Sequence, residues 1–178
     1  ESMPIEDNAN YEIKAKIAES AKTITYKARK DGYPCIIKCL KPEYISIENR
    51  AKQNYEYSMS VILYVSGAPV LKALELDGKG LDFHAIMFED FEGVSLEQYL
   101  QEKGSLPLAE FLFIAIKIVE AIELFHNSGY IHKNICAQNI MINADTLEIK
   151  LMGLDIVTKL TQEKQPEFDL ELMNADVY

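Results

Sequence analysis

Apolar and polar residues alternate along the first forty positions of the chain. Tyr11, Ile13 and Ile17 stand in one run, Thr23 to Ala28 in a second and Cys35 to Leu40 in a third, with Asp31-Gly32 as a turn between the last two. This alternation predicts three antiparallel strands. After Pro42 the period changes. Ala51, Tyr55, Met59 and Leu63 recur every fourth residue from a start near Ser46, which predicts a helix with those side chains on one shared face. Two further strands are expected at Leu71 to Leu76 and Phe83 to Glu89, parted by the turn-rich Asp77-Gly78-Lys79-Gly80.

Beyond residue 90 helical spacing dominates. Ser95 with Gln98 three residues on reads as a capping pair, and Gly104 as the stop of that helix. A longer helix starts around Ser105-Leu106-Pro107 and carries Leu108, Phe111, Leu112, Ala115, Ile118, Val119, Ile122 and Phe125. So little polar face predicts a buried central helix, ended by Asn127-Ser128-Gly129. A hairpin is expected from Asn139 to Ile142 and Leu147 to Leu151 around Asn143-Ala144-Asp145. Residues 161–178 are acidic and mostly without period, and a mobile tail is expected there. The segment Asp90 to Val94 joins a strand-rich half to a helix-rich half as a hinge would. The expected organisation is therefore an N-terminal extension (1–9), a strand-rich lobe (10–90), a helical lobe (91–160) and the tail (161–178), an α+β fold in two lobes.

At 178 residues, 48% of them hydrophobic, the chain suffices for one sizeable core or two small packed lobes. It holds no run of eighteen apolar residues and no basic segment leading into a short apolar one, so neither a membrane span nor a signal peptide is expected. A net charge of -10 opposes binding to nucleic acid or to an anionic membrane surface. Cys35, Cys39 and Cys136 are too few and too irregularly spaced for a disulfide framework or a zinc site. They read as ordinary buried thiols, which suits a reducing cytoplasm.

The succession of elements resembles the protein-kinase fold, from its first strand to just past the metal-binding loop, over about residues 10 to 160. The most specific stretch is Ile131-His132-Lys133-Asn134-Ile135-Cys136-Ala137-Gln138-Asn139-Ile140, similar to the kinase catalytic loop H-R-D-L-x-x-x-N with substitutions. Cys35-Ile36-Ile37-Lys38 stands where kinases carry V-A-I-K. A bilobal kinase-like fold with a C-lobe truncated after the start of its activation segment is the expectation.

The resemblance also implies what each position should do, and many of the residues here depart from it. The catalytic-loop aspartate, which would orient the substrate hydroxyl, is Asn134, a far weaker base. Cys136 replaces the lysine common in serine/threonine kinases. Gly153 stands for the aspartate of the D-F-G triplet and offers magnesium no ligand, which leaves Asn139 alone of the usual pair. Asp155 would rescue the metal site only by a two-residue slip. Ala18-Glu19-Ser20-Ala21-Lys22-Thr23 aligns with the glycine-rich loop, and all three of its glycines are gone. Asn54 falls at the place of the helix glutamate that should pair with Lys38, and Glu56, two residues on, is expected to point elsewhere.

Lys38, Asn139 and the hinge Phe88-Glu89-Asp90-Phe91 persist, so Lys38, Glu89, Phe91 and Asn139 are the candidate nucleotide-binding residues and His132 a structural organiser of the loop. No cofactor is required by this reading: the hinge backbone leaves ATP open as a ligand, and magnesium is not expected. Function then stands between a catalytically impaired kinase-like domain, acting as a regulatory or protein-interaction module in signalling, and an atypical ATP-dependent serine/threonine kinase or small-molecule phosphotransferase. Partners would be a protein, other domains of a longer polypeptide, or a second copy meeting the truncated C-lobe. The Ile131-His132-Lys133 loop is also similar to the kinase domains that open large bacterial multidomain sensor proteins, which would make this an N-terminal regulatory piece.

Overall fold

The alternating runs form strands where their spacing predicts. In a computed structural model of the chain, which describes residues 11–77 and 84–162, β1 (Tyr11–Glu19), β2 (Thr23–Lys30) and β3 (Tyr33–Leu40) lie antiparallel in sequence order. β4 (Ala73–Asp77) and β5 (Ala85–Glu89) complete a sheet of order β1-β2-β3-β5-β4, so β3 is its central strand. From Cys35 to Leu40 every residue of β3 is buried, which a central strand covered on both faces requires. The N-terminal extension, most of the expected Asp77 to Gly80 turn, Phe83 and the tail beyond residue 162 lie outside the described residues.

α1 (Ile47–Val65) starts at Ser46, whose hydroxyl accepts the Asn49 N–H at 3.1 Å as an N-cap should. Its inward face is not the expected one. Gln53, Glu56, Met59, Ser60 and Leu63 are buried, whereas Ala51 and Tyr55 are exposed, so the helix sits turned from the Ala51-Tyr55-Met59-Leu63 stripe. Of the three polar residues among these, Gln53 and Glu56 have partners on β3 and beyond.

β6 (Val94–Ser95) leads straight into α2 (Leu96–Lys103), capped by Ser95 Oγ accepting from the Gln98 N–H at 3.1 Å. α3 (Leu108–Asn127) follows. It corrects the expectation of a buried central helix: Ile114, Ala121 and Phe125 are buried, while Leu108, Phe111, Leu112, Phe113, Ile116, Val119 and Leu124 are exposed. β7 (Tyr130–Ile131) pairs with β10 (Thr158–Lys159), and the hairpin β8 (Ile140–Ile142) and β9 (Ile149–Leu151) joins β6 in a small three-stranded sheet.

Among the described residues, three apolar clusters stabilise this arrangement. One lies within the β1–β5 sheet, one joins α1, α2 and α3 to the hairpin, and a third bridges the two halves through Ile17, Ile36, Phe88, Phe91, Met141 and Met152. No described helix is long and apolar enough to cross a membrane.

Candidate functional site

Lys38 is the one cation on the buried stretch of β3, and only 7% of it is exposed. A charge so enclosed requires a partner. Glu56, 3% exposed on α1, supplies it: Lys38 Nζ donates to Glu56 Oε1 at 2.7 Å and Oε2 at 2.8 Å. This corrects the assignment of Asn54 to that place. Asn54 lies on the outer side of α1, its Oδ1 3.1 Å from His84 Nε2. Its neighbour Gln53 turns inward, donating from Nε2 to the Lys38 carbonyl at 3.1 Å. Glu56 Oε1 also accepts the backbone N–H groups of Gly153 and Leu154, at 3.1 and 3.3 Å. One carboxylate thus ties the central strand, α1 and the turn after β9 together.

The loop between β7 and β8 is organised from its histidine. His132 Nε2 donates to the Met152 carbonyl at 2.9 Å, and Nδ1 accepts the Asn134 N–H at 3.2 Å. Burial pushes its pKa below the ordinary histidine value, so the neutral imidazole that this pattern needs is the favoured form. The ring packs against Phe125 with centroids 5.3 Å apart. These contacts tie the loop to Met152 and to Phe125 of α3.

Asn134, Asn139 and Gly153 line one cavity with Lys38. Asn139 Nδ2 donates to the Asn134 carbonyl at 3.0 Å. Gly153 has φ of +75°, and a Cβ added there would come within 2.5 Å of the Asn139 side chain. The Asn139 amide therefore occupies the space into which a side chain at position 153 would project. Asp155 lies two residues farther on and lines the same cavity.

Over this stands the β1–β2 turn. In a glycine-rich loop the backbone N–H groups face phosphate. Here Ser20 Oγ accepts the N–H groups of Lys22 and Thr23, at 3.3 and 3.1 Å. Glu19 ion-pairs with Lys16 and Lys41 at 2.6 and 2.9 Å, and their hydrogen bonds hold its carboxyl down at about 2. The Ser20 hydroxyl thus occupies backbone donors that a glycine-rich loop would turn to an anion, and the Glu19 carboxylate is neutralised by its two lysines.

The cavity enclosed by these elements measures about 360 Å³ and is lined by Lys38, Glu56, Asn134, Asn139, Gly153 and Asp155 among others. Lys38 and Asn139 are brought together as the candidate nucleotide residues. Glu89 and Phe91 are not among its lining residues: Glu89 is exposed at the end of β5, and Phe91 is buried in the bridging apolar cluster. Glu56 is committed to Lys38 and two backbone donors, whereas Asn139 bonds Asn134 through Nδ2 and not through Oδ1, the atom that could ligate magnesium, so Asn139 Oδ1 and Asp155 are among the oxygen groups that could face a metal there. Cys136 lines the cavity too, while burial raises the Cys35 thiol and pushes that of Cys39 up to about 12. Cys35 and Cys39 are inert packing residues.

Glu56 and Gln53 are the functional positions that the sequence reading missed. The signal was present in phase: Gln53, Glu56, Ser60 and Leu63 follow the i, i+3, i+7, i+10 spacing of one helix face.

Comparison with known proteins bears on this arrangement. The family model for the protein kinase domain matches residues 11–175. A probable serine/threonine-protein kinase of Clostridium perfringens is 31% identical over 137 residues, covering 76% of this chain and 20% of that protein. A serine/threonine-protein kinase of Saccharomyces cerevisiae is 28% identical over 149 residues, covering 82% of this chain and 13% of its own length. The chain thus spans about a fifth or less of the length of these relatives. With the strand lysine, the helix glutamate and the histidine-anchored loop in their places, the chain belongs to the protein kinase domain family.

Proposed function

We propose that the chain is a non-catalytic kinase-type domain that acts in signalling as a regulatory or protein-interaction module. One observation carries this reading: at Gly153 the side chain that would hold the metal is absent, and the Asn139 amide fills its space. Phosphoryl transfer depends on positioned metal and phosphates more than on covalent help from the protein. Asn134 further removes the acid that would orient the attacking hydroxyl. The Lys38–Glu56 pair, by contrast, forms without either, and it holds α1 against β3 in one defined arrangement. A fixed shape presented to a protein partner, to neighbouring domains or to a second copy is the activity that such a domain retains. A cytoplasmic setting suits that role.

The active alternative has one feature in its favour. Asp155 lines the cavity beside Asn139, so a displaced carboxylate stands near the site. Thermal unfolding with ATP and magnesium, manganese or chelator, followed by a radiolabelled transfer assay, separates the two readings. No metal-dependent stabilisation and no transferred label are expected. Stabilisation that needs the metal, together with labelled product, would establish the enzyme.

A further inference from the structure

A purine ring held between two protein layers needs a gap of about 7 Å, two van der Waals contacts deep. Between the two halves of this chain the corresponding layers share one buried apolar cluster. Ile17 of β1 and Ile36 of β3 are 1% and 0% exposed, and Met141 of β8 and Met152 are 0% and 3%. All four belong to one apolar cluster with Phe88 and Phe91 at the hinge, although they come from opposite sides of the cleft. Their burial is complete with the protein's own side chains alone.

The open space beside this cluster narrows between two wider parts. The cavity of about 360 Å³ lies at the Lys38 end. A second of about 430 Å³ opens between β1 and α2, lined by Ile17, Ala18, Ser95 and Gln98 among others. What joins them is a gap of about 10 Å³, which shares Ala18 and Glu19 with the outer cavity and Ser20, Lys38 and Asn139 with the inner one. That volume is at the lower limit for a single water. A nucleotide has to thread base, sugar and phosphates through one continuous groove.

We infer that this chain closes its own cleft to nucleosides, with Ile36, Met141 and Met152 filling the place of a base and clasping the two halves together without a ligand. The inference deepens the non-catalytic reading of the same cleft. Ile36 is the decisive residue, because it is fully buried on the central strand and belongs to the bridging cluster, where a smaller side chain would leave a void.

The test uses adenosine, which needs neither phosphate contacts nor metal, titrated calorimetrically into the 178-residue chain and into Ile36→Ala. The unaltered chain should give no saturable heat and no shift in melting temperature at millimolar adenosine. Ile36→Ala should bind at least roughly tenfold more tightly and regain thermal stability as adenosine is added. If Ile36→Ala does not fold, Met152→Ala opens the same cluster from the opposite side. Saturable adenosine binding by the unaltered chain overturns the inference, as does a folded variant with no gain. Binding without phosphoryl transfer would leave the non-catalytic reading intact, whereas labelled product would defeat that reading separately.

Discussion

His132 shows how a single side chain in this site is constrained. Its ring is buried, its Nε2–H is spent on the Met152 carbonyl, and its Nδ1 must remain unprotonated to accept from the Asn134 N–H. Protonation would set two donors against each other. The negative charges of Glu56 and Asp155 favour the imidazolium and Lys38 opposes it, but loss of hydration outweighs them and the folded-state pKa falls below 6.5. The unfolded chain then binds a proton more readily than the folded one. The stability due to this group is fully present above about pH 6.5 and is lost as pH falls toward the folded value, with a slope of at most about 1.4 kcal/mol per pH unit. Urea midpoints measured between pH 7.5 and 5 should decline in that direction, and His132→Phe should flatten the part of the decline that this residue causes. An unchanged profile in the variant would assign the acid sensitivity elsewhere.

At the scale of the element, α1 is the instructive case. Its existence and its start at Ser46 were legible in the sequence, since capping chemistry is local. Its rotation was not. Hydrophobic spacing assigns an inward face on the premise that buried means apolar, and here Gln53 and Glu56 are buried because Lys38 of β3 and the turn at Gly153 and Leu154 give them partners. The exposed Tyr55 belonged to the misleading stripe, and its hydroxyl donates to the Val157 carbonyl at 2.6 Å. α3 failed in the opposite sense, because an apolar surface in sequence does not reveal whether anything covers it. The anchoring of α1 can be measured. Glu56→Ala leaves a buried ammonium and two backbone N–H groups without their acceptor, and should cost about 3–5 kcal/mol in urea unfolding. Asn54→Ala, on the exposed side of the same helix, should change stability by no more than about 0.5 kcal/mol. Comparable losses in both variants would contradict the assigned rotation.

For the whole molecule, the order of strands, helices, hinge and hairpin could be read from the chain because each depends on spacing and turn residues within a few positions. The degraded site could be read in part for a related reason: Asn134 and Gly153 are identities, and identity survives without coordinates. What could not be read is how the halves meet. Ile17, Ile36, Phe88 and Phe91 from the strand-rich side and Met141 and Met152 from the other form one cluster, and Glu56 adds a polar tie across the same boundary through Gly153 and Leu154. Two lobes joined only by a hinge would unfold separately, whereas lobes that share a core lose it together. A single transition is therefore expected, with β2–β3 amides and β8–β9 amides giving the same opening free energy in native-state hydrogen exchange. Because the shared core consists of the chain's own side chains, adding ATP and magnesium should leave that free energy unchanged. Met152→Ala removes contacts from both sides of the boundary at once and should lower the two sets of amides by equal amounts, about 2–5 kcal/mol. If the strand-rich half retained its protection while the hairpin lost its own, the two halves would be independent and the cluster between them a surface contact only.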